Sequence, residues 1–144
     1  MNQGFIFTEI VLEIFKLSGL LVADGDRLTK SLGLTSARWK VLGALAIAEK
    51  PMTVAAIARN MGQTRQGVQR IADEMAQENI VRFQENPNHK RAKLLLLTEK
   101  GTGLYRKLST IQEPWAEEKS KGFNQKDMET TLAVLKGITG KFES

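Results

Sequence analysis

The N-terminal stretch limits this chain's folding choices more than any other feature. Phe5, Ile6, Phe7, Ile10, Val11, Leu12, Ile14 and Phe15 crowd together, and the charges that interrupt them, Glu9, Glu13 and Lys16, recur at helical spacing. Residues 5–31 therefore read as one long helix with a narrow polar stripe, and a helix so apolar needs cover on most sides. A chain of 144 residues has room for one compact domain. A second subunit can supply the missing cover. Gly19 permits a bend or a close approach by a neighbouring helix, and Gly33 stops the element. No positive charge precedes the apolar run, and its internal charges break any secretion signal or spanning segment. The expected location is the cytoplasm, with no membrane partner.

Hydrophobic residues make up 42% of the chain and charged residues 26%, the balance of a soluble globular protein. Lys and Arg outnumber Asp and Glu by 21 to 16, and the resulting net charge of +5 favours an acidic partner. The absence of Cys excludes a disulfide framework, a thiolate metal site, a cysteine nucleophile and a thiol redox sensor. With one His and no G-x-S-x-G, H-E-x-x-H or phosphate-loop motif, the chain offers no catalytic set, no metal site and no cofactor site. It is not expected to be an enzyme. His89, beside Asn88 and Lys90, reads as a surface histidine, and Gly101-Thr102-Gly103 as a turn between a hairpin and a helix.

Thr35 or Ser36 can cap a second helix carrying Trp39, Leu42, Leu45 and Ala46, closed by Lys50-Pro51. Thr53 caps a short helix with Val54, Ile57, Ala58 and Met61 as its buried stripe, ending at Gly62. A further helix runs from Gln63-Thr64 to about Glu78. Its apolar face is Val68, Ile71, Ala72 and Met75, at the i, i+3, i+4, i+7 offsets. Its polar face carries Arg65, Gln66, Gln69, Arg70 and Asp73, and Asn79 suits a left-handed position after it. The period then changes. Residues 80–84 and 92–98 read as two strands joined by a polar loop with Pro87 and Asn turn signals. Helix resumes at Glu99 through Leu104, Tyr105, Leu108 and Ile111, with a kink or break expected at Pro114. A last helix from about Gln125 to Phe142 has Leu132, Leu135, Ile138 and Phe142 as its apolar stripe.

Two short helices around a turn at Gly62 have the form of a helix-turn-helix. Thr64, Arg65, Gln66, Gln69 and Arg70 are types suited to DNA, because Arg pairs with guanine O6 and N7 and Gln with adenine N6 and N7. A polar helix face alone is more often just a solvated surface. The hairpin changes that balance: between Arg82 and Lys107 lie seven basic residues, including Lys90, Arg91 and Lys93, and two acidic ones. A basic hairpin directly after a helix-turn-helix is what a winged helix needs, the helix reading bases and the wing lying along phosphates or in the minor groove.

These segments resemble the multiple antibiotic resistance regulator (MarR) family of winged helix-turn-helix transcription factors. The resemblance covers Leu34 to Gly103. It rests on Leu34-Thr35-Ser36-Ala37-Arg38-Trp39-Lys40-Val41-Leu42, on the helix-turn-helix from Val54 to Ile71, and on the Leu-Thr-x-x-Gly at Leu97-Thr98-Glu99-Lys100-Gly101. It implies a mainly α fold with a small β-hairpin wing: one domain over residues 1–144, a winged-helix core at 34–100, and dimerisation helices at 5–31 and 104–142. Phe5, Ile6, Ile10, Ile14, Leu132, Leu135, Ile138 and Phe142 would then form a homodimer interface. A two-fold dimer favours a pseudo-palindromic double-stranded operator with half-sites about one turn, ~34 Å, apart. The resemblance further implies a ligand-responsive regulator, a repressor rather than an activator, with Phe15, Trp39 and Tyr105 as candidates for a small-molecule effector pocket. Two departures stand out. Family wings commonly carry Asp-x-Arg near the tip, whereas this loop reads Asn86-Pro87-Asn88-His89-Lys90-Arg91, and Gly67 interrupts the recognition helix. The competing reading is a basic winged-helix module that binds DNA without sequence preference, or a protein partner.

Overall fold

Helices in this chain begin where a short polar side chain accepts a backbone N–H that the first turn leaves orphaned. The computed structural model, which describes residues 2–143, places α1 at Gln3–Thr29, followed by a 3-10 turn at Lys30–Leu32. Next come α2 (Ser36–Ala48), β1 (Met52–Thr53), α3 (Val54–Met61) and α4 (Arg65–Gln77). The chain continues through β2 (Val81–Gln84), β3 (Leu94–Leu97), α5 (Glu99–Ser120) and α6 (Gln125–Phe142). Thr35 caps α2 by accepting the Arg38 N–H at 3.2 Å, Thr53 caps α3 through Ala56 at 3.1 Å, and Thr64 caps α4 through Gly67 at 3.0 Å. Helix exits are equally local: Gly33, Gly62 and Asn79 take the left-handed conformation, as their residue types suggest. Glu49 also adopts it at the end of α2, where its N–H reaches Leu45 O at 3.1 Å.

The fold is mainly helical with a small antiparallel sheet in the order β1-β3-β2. The hairpin β2–β3 is the expected one, slightly shorter at both strands. The third strand was not expected. Met52 and Thr53 are too few to show an alternating pattern, and they become a strand only by pairing with Leu95 and Leu94. Of the kink or break expected at Pro114, the break does not occur, since α5 is helical from Glu99 to Ser120. One missing N–H is tolerated where the turns on either side remain bonded.

The chain forms two compact units, one ending at Ile111 and the other beginning at Gln112. The core of the first unit gathers Leu42 and Val41 from α2, Ile57 from α3, and Val68, Ala72 and Met75 from α4. Val81 and Leu95 from the sheet and Leu108 from α5 complete it. The end of α1 joins this unit through the Asp26 carboxylate, which accepts both the N–H and the Oγ–H of Ser36 at 2.8 Å. In the second unit Asn124 caps α6 through the Asp127 N–H at 2.8 Å, and α6 buries none of its residues.

Two polar links hold the far end of α4. Arg38 of α2, whose side chain is only 15% exposed, places its guanidinium 2.7 Å from Glu78 and 3.6 Å from Glu74. On the other side Thr98 Oγ1 donates towards Asn79 O (2.5 Å) and Ile80 O (3.0 Å) while accepting the Gly101 N–H at 3.0 Å, and Lys100 Nζ donates to Glu78 O at 2.7 Å. The Leu-Thr-x-x-Gly segment thus ties the start of α5 to the end of α4. Gly101, inside the first turn of α5 rather than in a separate turn, is required there because a Cβ would collide with Ile80 O.

Two outcomes are expected from these contacts. Gly101→Ala should destabilise the fold by about 2–3 kcal/mol, measured by denaturant unfolding, because the obstacle is backbone that cannot move aside. The hydrogen bond from Arg38 holds the Glu78 carboxyl below its ordinary value of 4.5. That contribution is therefore fully present above pH 4.5 and is lost as acid titrates the folded carboxylate. Glu78→Gln should cost about 0.5–1 kcal/mol at neutral pH, as expected for a half-exposed pair, and should flatten the stability loss below that pH.

Candidate nucleic-acid interface

Burial of Val68, Ala72 and Met75 leaves the opposite face of α4 to solvent, so Arg65, Gln66, Gln69, Arg70 and Asp73 are all exposed. The turn before it is tight: Gly62 N–H reaches Arg59 O at 3.3 Å and Gln63 N–H reaches Ala58 O at 3.0 Å, which sets α3 and α4 as a helix-turn-helix. Thr64 uses its oxygen to cap the helix, leaving its hydroxyl hydrogen as the group available to a phosphate. A Cβ at Gly67 would stand 3.1 Å from Thr64 Oγ1, a close contact. Gln69 donates from Nε2 to the Asp73 carboxylate at 2.9 Å.

The wing is organised by neutral groups. Asn86 accepts the Asn88 N–H and donates to Ala92 O, both at 3.0 Å, so one amide side chain fastens the two legs of the loop. His89 is exposed, as expected, and its Nδ1 accepts the Ala92 N–H at 3.2 Å. A carboxylate could not do what Asn86 does, because it has no donor for the Ala92 carbonyl.

Helix and wing face a common space. An open cleft of about 820 Å³ is lined by Arg65, Gln66, Gln69 and Arg70 from α4 and by Arg91 and Lys93 from the wing, with Val54 and Phe83 among its apolar walls. Six of the eight DNA-contact candidates therefore line one cavity. Thr64 and Lys90 are exposed but lie outside its lining. Arg65, Arg70, Arg91 and Lys93 make no ion pair among the described residues. Asp73 is the one carboxylate in the lining, and its spacing of i+4 from Gln69 was the available sequence signal. Thr53, Val54 and Phe83 carried no such signal, since they reach the cleft only through folding.

The effector candidates are less gathered. Tyr105 lines a separate cleft of about 450 Å³ with Leu45, Leu96 and Arg106, whereas Trp39 packs against α1 at Gly25 and Phe15 is 69% exposed on α1. Of the dimer candidates, Phe5, Ile6, Leu132, Leu135 and Phe142 are exposed, and Ile10, Ile14 and Ile138 are half-buried. Among the described residues no helix is long and apolar enough to cross a membrane.

Residues 32–92, which span the helix-turn-helix and most of the wing, match the model of the MarR family. The winged helix of this chain is similar to that of the MarR family. Over 92 residues the chain is 38% identical to uncharacterized protein Rv2011c of Mycobacterium tuberculosis (strain H37Rv). That match covers 64% of this chain and 63% of the relative, so it spans less than two thirds of the relative's length. The structure of the transcriptional regulator BldR from Sulfolobus solfataricus superposes with a TM-score of 0.88 over 99% of this chain and 100% of BldR, at 17% identity. CouR from Rhodococcus jostii RHA1, determined bound to p-coumaroyl-CoA, gives 0.81 over 94% of this chain and 93% of CouR, at 18% identity. Identities this low establish a shared fold. The wing tip of this chain is closed by Asn86 and His89, with no ion pair within the loop among the described residues.

Asn86→Asp removes the donor to Ala92 O. Amide hydrogen exchange should quicken at Asn88 and Ala92 while the Leu95 amide stays protected, and the global stability should fall by no more than about 1 kcal/mol.

Proposed function

We propose that this chain is a MarR-family, sequence-specific DNA-binding transcriptional regulator, not an enzyme, that works in the cytoplasm as a homodimeric, ligand-responsive repressor. The observation that carries this reading is the single cleft shared by the polar face of α4 and the cationic wing. In it α4 enters the major groove, where Arg65 and Arg70 meet guanine edges or adjacent phosphates and Gln66 and Gln69 meet adenine. Thr64 donates to a phosphate beside the helix N-terminus, and Lys90, Arg91 and Lys93 follow the backbone or enter the minor groove. Repression needs nothing further, since a protein seated on an operator excludes other proteins from it.

Dimerisation is supported by the amount of apolar surface that α1 and α6 each leave in water, with Phe15 69% and Phe142 75% exposed. Contiguous apolar surface of this kind marks an interaction site. Two copies present two α4 helices, which suits a pseudo-palindromic site with half-sites about 34 Å apart. The small molecule is supported by the ligand-bound CouR, whose fold this chain shares. Phe15, Trp39 and Tyr105 are the aromatic groups proposed to meet it, and only a difference in its affinity for two dimer geometries can shift DNA occupancy.

Selection of binding sequences from a randomised duplex pool tests the reading, with sedimentation of the free protein to give its oligomeric state. A recovered inverted repeat and a dimer are expected. Equal binding to all duplexes would favour a non-specific basic module instead. Arg70→Ala should weaken operator binding by about tenfold to hundredfold with its melting temperature unchanged, because the side chain contributes nothing to the core. Arg91→Ala should reduce the slope of log affinity against log salt by about one.

A further inference from the structure

Asp73 stands apart in the cleft. It is the one carboxylate among four cations, Arg65, Arg70, Arg91 and Lys93, on a surface proposed to receive a polyanion. It is exposed and takes no part in the ion pairs that Arg38 makes with the neighbouring Glu74 and with Glu78, so it serves neither the core nor those links. Its carboxylate accepts the Gln69 Nε2–H at 2.9 Å. A carboxylate on such a surface lowers affinity for every phosphate backbone alike, and so must be judged by what it does to discrimination.

We propose that Asp73 is a specificity-determining residue, acting through its charge and through Gln69. This rests on the reading of the cleft as a DNA-reading surface. The charge weakens binding that depends on phosphates alone, whereas a duplex carrying the right base edges regains the difference through hydrogen bonds. The tether holds Gln69 by its amide nitrogen, one turn of helix away, so that Oε1 and the second amide hydrogen face the cleft in a fixed order. A Gln presented that way matches adenine, whose N6–H donates and whose N7 accepts, and it does so without first having to choose between its two amide orientations.

Two substitutions separate the two effects. Asp73→Asn keeps an oxygen acceptor for Gln69 and removes the charge, and Asp73→Ala removes both. Affinities of wild type and both variants are measured across a salt series for a selected operator and a scrambled duplex of the same length. They are then repeated with operators substituted one base pair at a time. Asp73→Asn should raise affinity for the scrambled duplex about threefold to tenfold and raise operator affinity less, so the ratio between them falls. Asp73→Ala should show the same loss and, in addition, a relaxed preference at one base pair of each half-site. If wild type discriminates between the duplexes and Asp73→Asn discriminates equally well, the role of the charge is overturned. If Asp73→Ala keeps the base preferences of Asp73→Asn at every position, the role of the tether is overturned. A wild type that binds both duplexes alike defeats the regulator reading itself, and this proposal with it. Circular dichroism melts provide the control for folding, and an exposed position predicts unchanged melting temperatures.

Discussion

Burial of one stripe of α4 underlies the rest of the arrangement. Val68, Ala72 and Met75 have no exposed surface, and burying each of the larger two is worth about 1.5–3 kcal/mol. Because these positions recur at helical spacing, placing them in the core turns every intervening polar residue outward as a set. The cleft therefore follows from packing rather than from any attraction among its own side chains, whose charged members are mostly cationic and repel one another. The orientation of α4 is then fixed at its far end by Arg38 from α2 and by Thr98 and Lys100 from the start of α5.

Charge is distributed unevenly along this helix. Arg65 and Arg70 lie towards its start and share the cleft with the wing, while Glu74 and Glu78 lie towards its end and pair with Arg38. The cationic end is thus kept clear of internal partners, and the acidic end is used for structure. Asp73 sits at the boundary. The wing obeys the same economy of charge: its loop is closed by Asn86 and His89, neutral groups that leave Arg91 and Lys93 available to the cleft.

The apolar helices pose the opposite problem. Within its own unit α1 keeps Phe5, Leu12, Phe15 and Leu20 in water along most of its length, and only in its last turns are residues buried, at Gly25 and Thr29, with Asp26 bonded to Ser36. In the second unit α6 leaves all its residues exposed but the half-buried Ile138. Surfaces of this kind are costly to leave solvated, which is why a homodimer is part of the proposed function.

Much of this was legible in the sequence. Helix starts at Thr35, Thr53 and Thr64 and stops at Gly33, Gly62 and Asn79 are decided by a few neighbouring atoms, so local residue type suffices to find them. The buried stripe of α4, the basic hairpin and the family resemblance could be read for the same reason: periodicity and spacing survive in one dimension. What the sequence could not show depends on partners far along the chain. Met52 and Thr53 are a strand only because Leu94 and Leu95 lie beside them, and Gly101 is indispensable only because Ile80 O approaches it. Phe83 and Val54 line the cleft, and Arg38 grips α4, by the same tertiary closeness. Residue type and spacing determined which groups could meet nucleic acid, whereas only the packing of α4 against the core and the pairing of β3 decided that they share one cleft.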